Sequence, residues 1–196
     1  WGISGGGPHV LACAARAPDL ICAVVSLASI APFDAEGLDY FTGMGQLNVD
    51  DIQLYLADPE AARKKAEKDR EEALQLNPGQ IVEAWQTLLS AADAAALTTE
   101  LASDLVAAMR DGLGPGVEGW WDDGAAHIAP WGFDLAEITI PVQLWHGAED
   151  RFVPFQHGEW LARRITGVDA HLTATDGHLT LLSRVPEIHR WLLDQF

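Results

Sequence analysis

Apolar residues along this chain cluster in two ways, and the difference predicts its elements. Ile21-Cys22-Ala23-Val24-Val25-Ser26-Leu27 is nearly continuous and lacks helical spacing, as a strand covered on both faces does. Pro141 to Trp145 and Val168 to Ala174 predict two further strands. Helical spacing governs elsewhere. Val10 to Ala17 is an Ala-rich run ended by Pro18. Gln156 to Ile165 sets Trp160, Leu161 and Ile165 on one side, and Leu181, Leu182, Val185, Ile188, Trp191 and Leu192 mark the apolar face of a closing helix.

Between about Ala31 and Pro130 no further buried strand occurs, only a succession of helical segments. Asp58-Pro59-Glu60 reads as a helix start, with an Asp cap and Pro at the first position. The mixed-charge run Ala61 to Glu72 that follows reads as a solvated face laced by acid–base pairs, with no binding role. Asn77-Pro78-Gly79 breaks it. Ile81, Trp85, Leu88 and Leu89 recur at helical spacing, as do Leu101, Leu105, Val106 and Met109 after a Thr98 or Thr99 cap. Gly112 to Gly116 predicts a loop, and Val117 to Ala129 a further helix.

Chemistry enters at the opening residues, Gly2-Ile3-Ser4-Gly5-Gly6-Gly7-Pro8. Gly-x-Ser-x-Gly is the pattern of a sharp strand-to-helix turn that holds a serine hydroxyl at its apex. Small neighbours, Gly2 and Gly6, are expected to relieve collision there. The serine then sits where free helix N–H groups favour negative charge. At the other end, Ile140 to Pro154 reads as a buried strand running into a loop that bears Glu149 and Asp150. Asp176-Gly177-His178 follows the last strand.

Serine, acid and histidine in that order resemble the α/β-hydrolase superfamily, and the likeness covers essentially the whole chain. The resemblance implies the C-terminal part of an α/β-hydrolase fold: parallel strands six to eight with flanking helices and an inserted all-helical cap. It implies three regions: 1–30 with the elbow, its helix and the following strand; 31–130 as cap or lid; 131–196 with the acid and histidine. It also implies Ser4 as nucleophile, His178 as general base and Asp150 as orienting acid, preferred to Glu149 because Gly147-Ala148-Glu149-Asp150 matches Gly-x-x-Asp. The Gly5 N–H is the implied oxyanion donor. Trp120, Trp121 and Trp131 are candidates for lining the site, set against the reading that they anchor the cap to the body.

Related dehalogenases and epoxide hydrolases carry aspartate at the elbow, and dienelactone hydrolases cysteine. Serine therefore implies acyl transfer to water, with small carboxylic esters as the first substrate class. A proline-iminopeptidase-like aminopeptidase is the alternative, and a non-catalytic α/β-hydrolase-fold protein or an inactive fragment the reading from another class. In the family the elbow follows five strands, yet here it opens the chain. The expectation is a C-terminal portion whose sixth strand is an open edge with its apolar face exposed, completed by the N-terminal segment as a separate chain or by another copy.

Composition narrows the remainder. A formal charge of −17 over 196 residues disfavours nucleic acid and anionic membranes as partners. The two cysteines, Cys13 and Cys22, make no disulfide framework, so a cytoplasmic, reducing setting is expected with both thiols buried. No cofactor is called for. No histidine pair shows a recognised metal-ligand spacing. His146 reads as packing beside the acid, and His9, His127, His157, His171 and His189 as helix-face or surface residues.

Overall fold

In the computed structural model, which describes residues 1–196, the elements run as follows. Strand β1 (Gly2–Ile3), helix α1 (Gly6–Arg16) and strand β2 (Val24–Leu27) come first. Six helices separate β2 from β3, namely α2 (Gln46–Ala57), α3 (Pro59–Gln75), α4 (Ile81–Ala84), α5 (Ala91–Ala96), α6 (Thr99–Leu113) and α7 (Glu118–Ile128). Strand β3 (Val142–Gly147), helix α8 (Phe155–Arg164), strand β4 (Asp169–Thr173) and helix α9 (Val185–Leu193) complete the chain.

The four strands form one sheet in the order β1-β2-β3-β4, every pair parallel. Side chains alternate across it, which is why β2 and β3 read as continuous apolar runs: both faces are covered. Val24, Val142 and Leu144 pack with Leu11 and Ala14 of α1 and with Trp160 and Leu161 of α8. Val25, Leu27 and Trp145 pack on the opposite face with Leu181 and with Ile188 of α9.

Several expectations shift. The second strand begins at Val24, whose N–H bonds Pro141 O (3.1 Å) just before β3 starts; Ile21 to Ala23 form the approach to it. Its edge is not open throughout, because Gly2 and Ile3 pair with Ser26 and Leu27, and all four β2 residues are buried. Both cysteines are exposed, not buried. Helix α1 turns Gly7, Leu11 and Ala14 inward at helical spacing, which leaves Cys13 outward, and Cys22 lies ahead of the ladder. The closing helix is preceded by a 3₁₀ turn, Thr180–Arg184, before Pro186 enters the first turn of α9.

In the helical region, Asp58 caps α3 by accepting the Ala61 N–H (3.0 Å), and Thr98 caps α6 by accepting that of Leu101 (3.2 Å). The charge run on α3 is only partly solvated. Arg70 donates to the carbonyls of Leu113 (2.6 Å) and Gly114 (2.7 Å), binding α3 to the end of α6. Lys65 lies between Asp51 and Asp69, facing inward. No helix is long and apolar enough to cross a membrane.

Candidate active site

Parallel strands send all their C-terminal ends to one edge of the sheet, and the candidate residues follow those ends. Ser4 comes directly after β1, Asp150 after β3 and His178 after β4. Ser4 has φ 56°, a left-handed conformation rare for a side-chain-bearing residue. Its N–H bonds Leu27 O (2.8 Å) and its carbonyl accepts the Gly7 N–H (2.9 Å), so the kink is held from both sides.

Of the two glycines expected to be small, Gly2 is sterically required and Gly6 is not. A Cβ on Gly2 would stand 2.2 Å from Gly6 O, so smallness is required there. A Cβ on Gly6 would meet nothing. Gly7 is the second constrained position, where a Cβ would fall 2.2 Å from Ser29 Oγ and 2.4 Å from Ser29 Cβ. The Gly5 N–H, at the start of α1, has no partner within the chain.

Asp150 is buried and fully engaged. One carboxylate oxygen accepts the N–H groups of Phe152 and Val153, both at 2.9 Å, and the other accepts Nδ1–H of His178 at 2.7 Å. That leaves Nε2 of His178 as the free ring nitrogen. Glu149 is exposed and joins neither. The two loops are tied directly, since Glu149 N–H bonds Asp176 O (3.0 Å) and a Cβ on Gly147 would strike that same carbonyl at 2.1 Å. The structure thus brings Asp150 and His178 together, while no hydrogen bond joins Ser4 to His178. The His178 ring stacks on Phe152, centroids 4.5 Å apart, and Phe152 lines a cavity together with Ser4.

That cavity, about 390 Å³, lies between the strand ends and the helical region. Ser4, Gly5, Ile30, Tyr40, Trp121 and Phe152 are among its walls. Trp120 also borders it, but Trp131 does not. Trp131 stacks on Phe133 and packs against the sheet body. Lys65 stands in the wall; burial works against its ammonium, but the hydrogen bonds and charges of Asp51 and Asp69 outweigh that and raise its pKa.

Buried histidines frame the site. His146 donates Nε2–H to Val153 O (2.9 Å) behind the acid, and burial pushes its pKa down, keeping it neutral. His157 is buried, not superficial: Nδ1 accepts the Ala31 N–H (3.1 Å) and Nε2–H donates to Tyr40 O (2.9 Å). Burial lowers its pKa to about 4.

Two further features escaped the sequence. Asp93, wholly buried on α5, accepts the N–H groups of His178 (3.0 Å), Leu179 (2.7 Å) and Thr180 (3.2 Å) and the hydroxyl of Ser90 (3.0 Å). Those three N–H groups open the 3₁₀ turn after β4, so a carboxylate from the helical region caps the loop of the histidine. The local pattern Ser90-x-x-Asp93 signals only a helix start. His127, half-buried on α7, donates Nε2–H to Gly5 O (3.0 Å), beside Ser4.

No family model and no curated protein matches the sequence. Solved structures do match. Rv0554 from Mycobacterium tuberculosis superposes with TM-score 0.59 at 19% identity, over 100% of this chain and 63% of that one. A meta-cleavage product hydrolase from Pseudomonas fluorescens IP01 gives 0.59 at 17%, over 100% and 62%. A lipase-esterase related protein from Clostridium acetobutylicum gives 0.54 at 17%, over 100% and 64%. The chain has the α/β-hydrolase fold. It spans less than two thirds of the length of these α/β-hydrolase-fold neighbours, and the part it spans is a parallel sheet with flanking helices.

Proposed function

We propose that this α/β-hydrolase-fold chain carries the catalytic groups of a serine hydrolase that transfers acyl groups to water, with small carboxylic esters as substrates. The observation that carries the reading is the 2.7 Å Asp150–His178 pair at the same sheet edge as the strained Ser4. A serine hydroxyl is too weakly acidic to attack an acyl carbon unaided. His178 Nε2 takes the proton as Ser4 Oγ bonds to the carbonyl carbon, then returns it to the departing alcohol. Asp150 holds the Nδ1–H tautomer and stabilises the imidazolium. Water attacks the acyl-serine in the reverse sense. The unpaired Gly5 N–H stabilises the tetrahedral oxyanion.

The Ser4–His178 contact forms with substrate, as is common where such bonds are long in the free enzyme. Residues 31–130 act as the cap, and Trp120, Trp121, Tyr40 and Phe152 offer an apolar enclosure suited to a short acyl chain. Strands outside this chain, from a separate segment or a second copy, supply the other oxyanion donor. The esterase and hydrolase names of the structural neighbours agree with this reading. A series of p-nitrophenyl esters of increasing acyl length tests it on protein carrying this chain. Hydrolysis that favours short acyl groups and falls about a thousandfold or more in Ser4→Ala supports it. Turnover unchanged in that variant contradicts it.

A further inference from the structure

His9 of α1 and Asp123 and His127 of α7 converge although more than a hundred positions separate the two helices in sequence. Each side chain offers one ligand atom, and the three atoms all lie within 4.8 Å of one another. His9 Nε2 contacts Asp123 Oδ1, and His127 Nε2 is 3.7 Å from Asp123 Oδ2. The group presses on the backbone beside Ser4: a Cβ on Gly5 would stand 2.7 Å from His127 Cε1 and 3.3 Å from Asp123 Oδ2.

We propose that His9, Asp123 and His127 bind a first-row divalent cation, with zinc the best fit, and so tie the helical region to the sheet body at the mouth of the cavity. Two imidazoles and one carboxylate form a donor set that suits zinc and its neighbours and disfavours magnesium and calcium, which prefer all-oxygen shells. Ligand atoms around tetrahedral zinc stand roughly 3.3 Å apart, given bonds of about 2.0 Å. The three ligand atoms, within 4.8 Å of one another, must draw together to that spacing when the ion binds. Asp123 and His127 are one helical turn apart on the same face of α7. His9 and Asp123 have side chains 54% and 40% exposed, so an ion enters without opening the core, whereas His127 at 17% gives the site its enclosed side. For Nε2 of His127 to ligate the ion, the ring takes the Nδ1–H tautomer and gives up the bond its Nε2–H makes to the Gly5 carbonyl (3.0 Å).

The inference is independent of the chemistry assigned to Ser4. Isothermal titration of zinc into protein bearing Cys13→Ser and Cys22→Ser, which removes the exposed thiols as competing ligands, tests it. The expected result is one zinc per chain, with affinity about tenfold or more weaker in His9→Ala and in Asp123→Ala. Ser4→Ala retains the binding, as does His171→Ala, which removes the surface histidine paired with Asp169. Cobalt in place of zinc gives visible ligand-field bands that vanish in the same two variants. Because His9 is exposed and Asp123 only half-buried, both variants keep the wild-type far-ultraviolet circular dichroism. No saturable binding, or binding that survives His9→Ala and Asp123→Ala, overturns the proposal.

Discussion

The buried carboxylate of Asp93 accepts the backbone N–H of His178 at 3.0 Å, joining the helical region to the loop that carries the candidate base. Leu179 and Thr180 donate to the other oxygen of the same group. Replacement by alanine leaves three N–H groups without an acceptor in a buried site, at a cost of about 3 kcal/mol or more. Asp93→Ala is therefore expected to lower the urea midpoint and to slow modification of Ser4 by a fluorophosphonate. Gly177→Ala should act similarly, since its Cβ would meet Asp93 Oδ2 at 2.4 Å.

The elbow makes a contrast between adjacent glycines. Gly7→Ala forces a methyl group against Ser29 and is expected to cost roughly 1–3 kcal/mol. Gly6→Ala meets open space in the first turn of α1 and should change stability by less than about 0.5 kcal/mol, or raise it. Thermal unfolding of the two variants measures the difference.

Strain at Ser4 predicts its own signature. Glycine tolerates φ 56° and alanine does not, so Ser4→Gly should be more stable than Ser4→Ala by about 1 kcal/mol. Equal stability of the two variants in chemical denaturation would show that the kink stores no strain.

Legibility in sequence followed the range of the interaction. Strands β2 and β3 were readable because burial on both faces leaves a continuous apolar run, and Asp58 and Thr98 because caps are local. The elbow was readable as a turn, but its steric demand lies at Gly7, set by Ser29 across the fold. Asp93 was hidden because its partners are 85 to 87 positions away. His127 and Asp123 were hidden likewise, since only the docking of α7 on α1 gives them neighbours. Trp131 could not be told from Trp121 without knowing which side of the helical region faces the cavity.

Stability should depend on acid through His157. Its folded-state pKa of about 4 lies below the ordinary 6.5, so between those values the unfolded chain binds more protons. Stability from this group is whole above 6.5 and is lost as pH falls toward 4, at about 1.4 kcal/mol per unit. Burial of His146 acts in the same direction. Urea midpoints followed across that range should decline steeply for the parent protein and less steeply for His157→Gln.

Covalent labelling addresses the catalytic assignment most directly. Protein carrying this chain, treated with a fluorophosphonate and digested, should show the phosphonyl adduct on Ser4. Labelling should be lost in Ser4→Ala and slowed about a hundredfold or more in His178→Ala, because without the imidazole the hydroxyl keeps its proton. An adduct on a different residue, or labelling of Ser4 that proceeds at the parent rate without His178, would contradict the assignment.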